Sequence, residues 1–212
     1  MLLPASWVKS TSSREKTQVK RQNFVEGVLF VLLVLVGAQL RIWRQDLPNF
    51  APVAALAMFA GYYFRSWLLA LCLPLSIMAI SDLSIGGYDW RMMAVVYAML
   101  ALPVAFRTLL RRHLSLDRGG LRSASLAVTG LVGCSLASSL LFFLVTNFGC
   151  WLWFDMYEHS VVGLARCYTL ALPFFRYTLG GDLFFAVLLF SGYAIASQVR
   201  LASRARTVAA AD

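Results

Sequence analysis

Long apolar runs without charge constrain this chain more than any other feature of its sequence. They extend over residues 27–40, 47–64, 66–81, 92–106, 123–154 and 183–199. A bilayer core about 30 Å thick needs roughly 17–25 residues of helix, and backbone polar groups in lipid must be bonded within the chain. Because the runs lack the alternating pattern of barrel strands, they predict membrane-spanning helices.

Composition and charge placement give the spans an orientation. Of the 212 residues, 60% are hydrophobic and 14% charged, which is typical of a membrane protein. We predict an all-α membrane protein with six transmembrane helices at about 24–43, 49–64, 66–81, 92–107, 124–146 and 181–199. With a cytoplasmic N-terminus, 14 of the 19 basic residues fall on the cytoplasmic side, as the positive-inside rule requires.

The same rule divides the chain into three parts. Residues 1–22 are predicted to be a basic cytoplasmic tail, residues 23–199 a six-helix transmembrane domain, and residues 200–212 a second cytoplasmic tail. The formal charge of +9 therefore follows membrane topology, and membrane lipid is the expected partner rather than nucleic acid. The predicted location is a membrane in which both ends of the chain lie on the cytoplasmic side.

The region after the fifth span is harder to assign from sequence. The run 123–154 exceeds one ordinary helix, so we expect a turn at Asn147 and Gly149. Arg166, Pro173 and Arg176 then interrupt the apolar segment 155–177. This segment is predicted to be a short re-entrant or surface-lying helix over the outer face; the alternative is a seventh span with an arginine at its centre.

The second span, "PNFAPVAALAMFAGYYF", carries small residues where lipid-facing helices carry large ones. Ala51 and Ala55 form one small-xxx-small pair, and Ala57 and Gly61 form another. Such pairs let helices approach closely in lipid. Packing within the chain would explain them, but the small surface extends around much of the helix. We therefore expect a second helical partner, from another subunit, to use the rest of this small surface.

Polar and aromatic residues recur at the outer ends of the predicted spans. A few converging polar groups with aromatic walls are the usual composition of a small-molecule pocket. The predicted substrate-binding residues are Asn49, Asp82, Asn147 and Asp182 as hydrogen-bonding groups, Trp151 and Tyr168 as stacking groups, and Arg176 for an anionic group. Each has a structural alternative: interfacial anchoring for the aromatics, an ion pair with Arg91 or Arg176 for Asp82, and a helix N-cap for Asp182.

Catalytic and metal chemistry find little support in the sequence. The two histidines, His113 and His159, are not spaced with acids or serines as in a metal or hydrolase site. The four cysteines lack paired metal-ligand spacing, and no phosphate-binding loop is present. We expect no enzyme activity, no metal and no cofactor. Cys150 and Cys167 both fall on the predicted outer side, where a disulfide is permitted but not specified.

The words "PNFAPVAALAMFAGYYF", "PLSIMAISDLSIGGYDW", "SSLLFFLVTNFGCWLW" and "ALPFFRYTLGGDLFFAVLLFSG" resemble an uncharacterised family of bacterial multi-pass membrane proteins over residues 40–195. That family more loosely resembles the S components of energy-coupling factor vitamin transporters. The resemblance implies a six-helix bundle with cytoplasmic ends and a ligand pocket closed by outer loops. It also implies that Ala51, Ala55, Ala57 and Gly61 dock a transmembrane coupling subunit that works with ATPases.

These observations together predict a substrate-binding or transport subunit that captures a small nutrient, vitamin-like in size, on the outer face. Movement of the nutrient would draw on a gradient or on another subunit, since the chain cannot itself use ATP. The alternative is a non-transporting membrane scaffold subunit of an envelope complex, in which the outer aromatic residues serve only as anchors.

Overall fold

The computed structural model describes residues 5–43, 52–114 and 121–209, which form helices and short connections without a strand. The helices are α1 (Ala5–Trp43), α2 (Val53–Tyr63), α3 (Trp67–Ile85), α4 (Trp90–Ala101), α5 (Arg107–His113), α6 (Leu121–Trp153) and α7 (Val161–Ala209), with a 3₁₀ turn, Leu102–Phe106, between α4 and α5. In this part of the chain, five stretches are long and apolar enough to cross a membrane, and α2 is apolar but shorter. The prediction of a multi-pass helical membrane protein is confirmed at this level.

Local capping signals set both ends of α3 and the start of α4. Ser66 begins α3 by accepting a hydrogen bond from the Leu69 amide at 3.3 Å. Gly86 ends it with a φ of 100°, a conformation that residues with a Cβ rarely adopt. The Asp89 carboxylate then accepts the amides of Arg91 and Met92 at 3.0 and 3.1 Å. These amides have no partner in the first turn of α4, so the carboxylate caps that helix.

Helix α2 lies at the centre of the bundle. Every residue from Val53 to Gly61 is buried, and α2 packs against each of the other six helices. Its 11 residues extend about 16 Å, which is too short to cross a bilayer. Because neighbours surround it on all sides, small residues are needed around its whole circumference.

This position changes the interpretation of the expected docking face. Ala55 and Ala57 are 0% exposed, and a Cβ on Gly61 would lie 2.9 Å from the backbone oxygen of Val104. Helices of the same chain therefore cover these three residues and leave no exposed surface there for a second subunit. Ala51 lies outside the described residues.

The long helices α6 and α7 correct two sequence predictions. Helix α6 continues through Asn147 and Gly149 to Trp153, so the expected turn there is wrong. Helix α7 continues from Val161 to Ala209, so the expected re-entrant or surface helix and the sixth span belong to one helix. Its 49 residues extend roughly 74 Å, more than twice the thickness of a bilayer core. Pro173 lies inside α7 without ending it.

The bundle has a basic end, defined by Arg65, Arg107 and Arg111 near the C-terminus of α2. The Arg111 guanidinium donates to the carbonyls of Tyr62 at 2.9 Å and Phe64 at 2.5 Å. Residues from α1 and from the end of α7 line one cavity at this end. The helical ends of the chain therefore lie on the same side of the bundle. Helix α1 already begins at Ala5, so most of the expected N-terminal tail is helical.

Candidate functional site

A cavity of about 190 Å³ lies between α4, α6 and α7, toward the end opposite the basic end. We call it the α4–α6–α7 pocket. Its walls are aromatic and aliphatic with a few polar groups; the lining residues are Met92, Val96, Phe142, Phe143, Thr146, Asn147, Cys150, Ala171, Phe174, Phe175 and Thr178. No Lys, Arg, Asp or Glu is among them. The pocket thus combines ring faces with neutral hydrogen-bonding groups.

The polar side chains of the pocket use hydrogens on their own helices. Thr146 donates to the Phe142 carbonyl at 2.7 Å, and Asn147 donates through Nδ2 to the Phe143 carbonyl at 2.7 Å. Thr178 donates to the Phe174 carbonyl at 3.4 Å. A hydroxyl has one hydrogen but two lone pairs, and a carboxamide oxygen only accepts. What these groups chiefly offer to an occupant is therefore acceptor atoms.

A buried carboxyl lies one helical turn beyond the pocket. Asp182, four residues after Thr178 on α7, is 4% exposed. Its Oδ2 lies 2.6 Å from the Ser139 hydroxyl of α6. The Ser135 and Ser138 hydroxyls nearby are buried and have no hydrogen-bond partner. Because α7 is continuous through Gly180 and Gly181, the alternative that Asp182 caps a helix is wrong.

Asp82 belongs to a separate ion-pair network between α1, α3 and α4. Arg41 Nη1 lies 2.5 Å from Asp82 Oδ1 and donates to the Ser81 hydroxyl at 2.6 Å. The Tyr97 hydroxyl donates to Asp82 Oδ2 at 2.7 Å. Both carboxylate oxygens are thus occupied, and the partner is Arg41 rather than Arg91 or Arg176. In the loop beside this network, burial raises the pKa of Tyr88, and the negative charge of Asp82 raises it further.

The aromatic and basic residues predicted for the site have structural contacts instead. Trp151 Nε1 donates to the Glu158 carbonyl at 2.9 Å and closes the α6–α7 connection. The Tyr168 hydroxyl bridges the helices by donating to the Leu144 carbonyl at 2.8 Å. Arg176 is exposed, with its guanidinium 4.8 Å from the centre of the Tyr177 ring.

The predicted binding residues therefore do not converge on one site. Only Asn147 lines the pocket, Asp182 lies one turn from it, and Asn49 lies outside the described residues. Cys150 and Cys167 are both free thiols, and the Cys167 thiol contacts the Asn147 carbonyl at 3.5 Å. Within the described ranges, no group of three or more His, Cys, Asp or Glu residues is placed to hold a metal ion.

Sequence reasoning missed Arg41, Tyr97 and Ser139, each of which holds a buried carboxylate group. A tyrosine or serine inside an apolar run carries a polar atom that needs a partner, and this was the available signal. No sequence signal indicates which acidic residue each one contacts, because the partners are 41, 15 and 43 residues apart in sequence.

A second cavity, of about 400 Å³, opens at the basic end between α1, α2 and α7. We call it the basic-end cavity. Phe59, Tyr63 and Tyr193 form its aromatic wall, and Arg200 lies at its rim. Phe59 and Tyr63 stack at a centroid distance of 5.6 Å, and Tyr193 meets both rings edge-on. These rings connect α2 to α7, so the wall is also part of the core.

Comparison with known proteins gives one positive result. Neither a curated protein nor a solved structure matches this chain. One family model, described as "Family of unknown function (DUF6580)", matches residues 21–205, from the charged segment of α1 to the last turns of α7. This match covers most of the 212 residues, so the chain belongs to the DUF6580 family.

Proposed function

We propose that this protein is an integral membrane substrate-binding or transport subunit that captures a small molecule in the α4–α6–α7 pocket. The single observation that carries the proposal is the pocket's composition, with a carboxamide and two hydroxyls set among four phenylalanine rings. Structural packing alone does not need converging polar groups beside an open volume. We expect binding without catalysis.

The hydrogen-bond inventory of the pocket indicates the chemical class of the substrate. Its two threonine hydroxyls have spent their hydrogens on their own helices, and the Asn147 carboxamide keeps one free N–H beside its acceptor oxygen. Acceptors thus outnumber donors in the pocket, so the occupant should chiefly donate hydrogen bonds. Its walls carry no cation, which disfavours the anionic group expected from Arg176. Its volume of about 190 Å³ is below the about 300–1,000 Å³ of sites for drug-sized ligands. A small planar heterocycle with N–H groups fits these conditions.

Orientation and partners follow from the charge distribution and from the resemblance to energy-coupling factor S components. The basic end would face the cytoplasm, with both termini on that side of a bacterial inner membrane, and the pocket would lie toward the outer face. Its partner would be a transmembrane coupling subunit that works with ATPases. It would have to dock on a lipid-facing helix, because α2 is enclosed.

The test is to incubate detergent-purified protein with a mixture of imidazole, uracil and hypoxanthine and to identify retained compounds by mass spectrometry. We expect wild type to retain a compound that Asn147→Leu and Thr178→Val lose. Thr169→Val is the matched control, because Thr169 makes the same hydrogen bond to its own helix at 2.7 Å but is exposed and outside the pocket.

Two results would count against the pocket. One is an empty wild type, both as purified and after incubation, which would favour the non-transporting scaffold. The other is retention that Thr169→Val reduces as much as Thr178→Val does. Circular dichroism and size-exclusion profiles of each variant would establish that a loss of binding does not come from a loss of fold.

A further inference from the structure

We propose that Asp182 and Ser139 form a proton-binding site inside the membrane domain, in which the Asp182 carboxyl takes up and releases a proton. The site does not depend on which compound the neighbouring pocket holds. The proposal rests on the hydrogen-bond geometry of this pair, on its burial and on the groups that surround it.

The Ser139 hydroxyl has two oxygen partners but a single hydrogen. It lies 3.0 Å from the Ser135 carbonyl and 2.6 Å from Asp182 Oδ2, and both are acceptors when the carboxyl is ionised. A hydroxyl carries only one hydrogen. If Ser139 donates to the carbonyl, the short contact with Oδ2 needs a hydrogen on the carboxyl. One proton on Asp182 therefore completes both hydrogen bonds.

Asp182 has no compensating cation among the described residues. Among the residues that the structure describes, the one salt bridge joins Arg41 to Asp82, and none reaches Asp182. An unpaired charge inside a membrane domain is energetically unfavourable because it loses its hydration without gaining a partner. The neutral acid removes this cost. Asp82, with an arginine and a tyrosine on its two oxygens, provides the opposite case in the same molecule.

The other titratable and charged side chains near Asp182 belong to α7 and to the helices packed against it. In the described part of the chain, α7 packs chiefly against α6 and α2, while α4 and α1 face it across the two cavities. From α6 the nearby titratable group is Cys134, which is buried in the same cluster as Ala186. On α7 itself the nearest charged residue is Arg176, which is exposed. Neither Cys134 nor Arg176 is hydrogen-bonded or ion-paired to Asp182 in the described structure.

Helix α2 supplies no titratable side chain at this level, but its first turn can favour release of the proton. It runs parallel to α7, with Phe59 beside Phe190 at 5.5 Å. Counting back along both helices places the first turn of α2 at the level of Asp182. No side chain caps the amides of that turn, and the positive end of a helix stabilises a nearby carboxylate.

Reversibility also needs donors for the ionised form. The hydroxyls of Ser135 and Ser138 are buried without a partner, and Ser135 lies one turn from Ser139 on the same face of α6. After the proton leaves, Ser139 can turn its hydrogen from the Ser135 carbonyl to the carboxylate. The proton itself passes to water, so no other reactant is required.

The experiment treats the purified full-length protein with dicyclohexylcarbodiimide, which reacts with protonated carboxyls in apolar surroundings, and maps the adducts by peptide mass spectrometry. We expect an adduct on Asp182 that decreases as the pH is raised. The ion-paired Asp82 should stay unmodified and serves as the internal control. Asp182→Asn should lose the adduct.

Ser139→Ala tests the positioning role of the hydroxyl. Hydrogen bonds to charged groups are stronger than those to neutral groups, so this substitution should penalise the ionised form more. Labelling of Asp182 should then persist to higher pH than in wild type. An unchanged pH profile would show that Ser139 does not act on the proton.

A second measurement covers poor access of the reagent. Infrared difference spectra between wild type and Asp182→Asn, recorded without any added compound, should show the carbonyl stretch of a protonated carboxyl at neutral pH. The proposal is overturned if this band is absent at every pH where the protein is folded. It is also overturned if sodium ions suppress the labelling, because the carboxylate would then be a sodium site.

Discussion

Breaking the Arg41–Asp82 pair should destabilise the fold more than any other single loss of charge in the described part of the chain. The two side chains are 18% and 6% exposed, so in Arg41→Met the Asp82 carboxylate would stay buried without its cation. Removing one partner of a buried pair costs about 3–5 kcal/mol. The partial exposure of Arg41 places the expected loss near the lower value, about 3 kcal/mol, or roughly a hundredfold in the folding equilibrium.

Protonation sets an upper limit on this loss. Placing a proton on an ordinary aspartate at pH 7 costs about 4 kcal/mol, and a carboxyl can always escape an unpaired charge in this way. The penalty in Arg41→Met should therefore not exceed this cost. It should also be largely removed in the double variant Arg41→Met/Asp82→Asn, which carries no charge at this position.

The assay is denaturant unfolding in detergent micelles, followed by tryptophan fluorescence, for wild type, both single variants and the double variant. Arg91→Met is the matched control, since Arg91 stacks on Trp90 at 5.7 Å and has no acidic partner among the described residues; its change should stay within about 0.5 kcal/mol. A loss below about 1 kcal/mol for Arg41→Met, or no rescue in the double variant, would refute the reasoning.

Two further predictions concern the packing of α2. Gly61→Ala should lower the free energy of unfolding by about 1–3 kcal/mol, because the new Cβ would meet the Val104 backbone. Gly133→Ala is the control: open space surrounds this position, so the substitution should raise the free energy of unfolding by about 0.5–1 kcal/mol. Equal effects of the two substitutions in thermal unfolding would contradict the close approach of α2 to Val104. Arg111→Ala should cost about 1–3 kcal/mol by freeing the two carbonyls that it holds at the end of α2. Arg112 is similarly exposed but makes no such bond to the described residues, so Arg112→Ala should cost little, and chemical denaturation would distinguish the two variants.

Local composition is enough to predict the positions of most helices. Charge-free length and flanking arginines predicted apolar segments that largely coincide with α1, α3, α6 and α7 and with α4 together with the 3₁₀ turn that follows it, because transfer into lipid depends on local composition. Gly86 and Asp89, between α3 and α4, act on their own backbone, so their capping roles are local features of the sequence. The turn expected at Asn147 and Gly149 failed because a long helix tolerates polar and glycine residues when a neighbouring helix packs against them.

The roles of the polar and small residues depend on how the helices pack against one another. A hydropathy pattern cannot show that α2 is enclosed, because small residues suit an internal core and an external interface equally. It cannot pair Arg41 with Asp82 or Ser139 with Asp182 either. Those contacts depend on which faces of distant helices meet, and that is set by side-chain packing summed over the whole bundle.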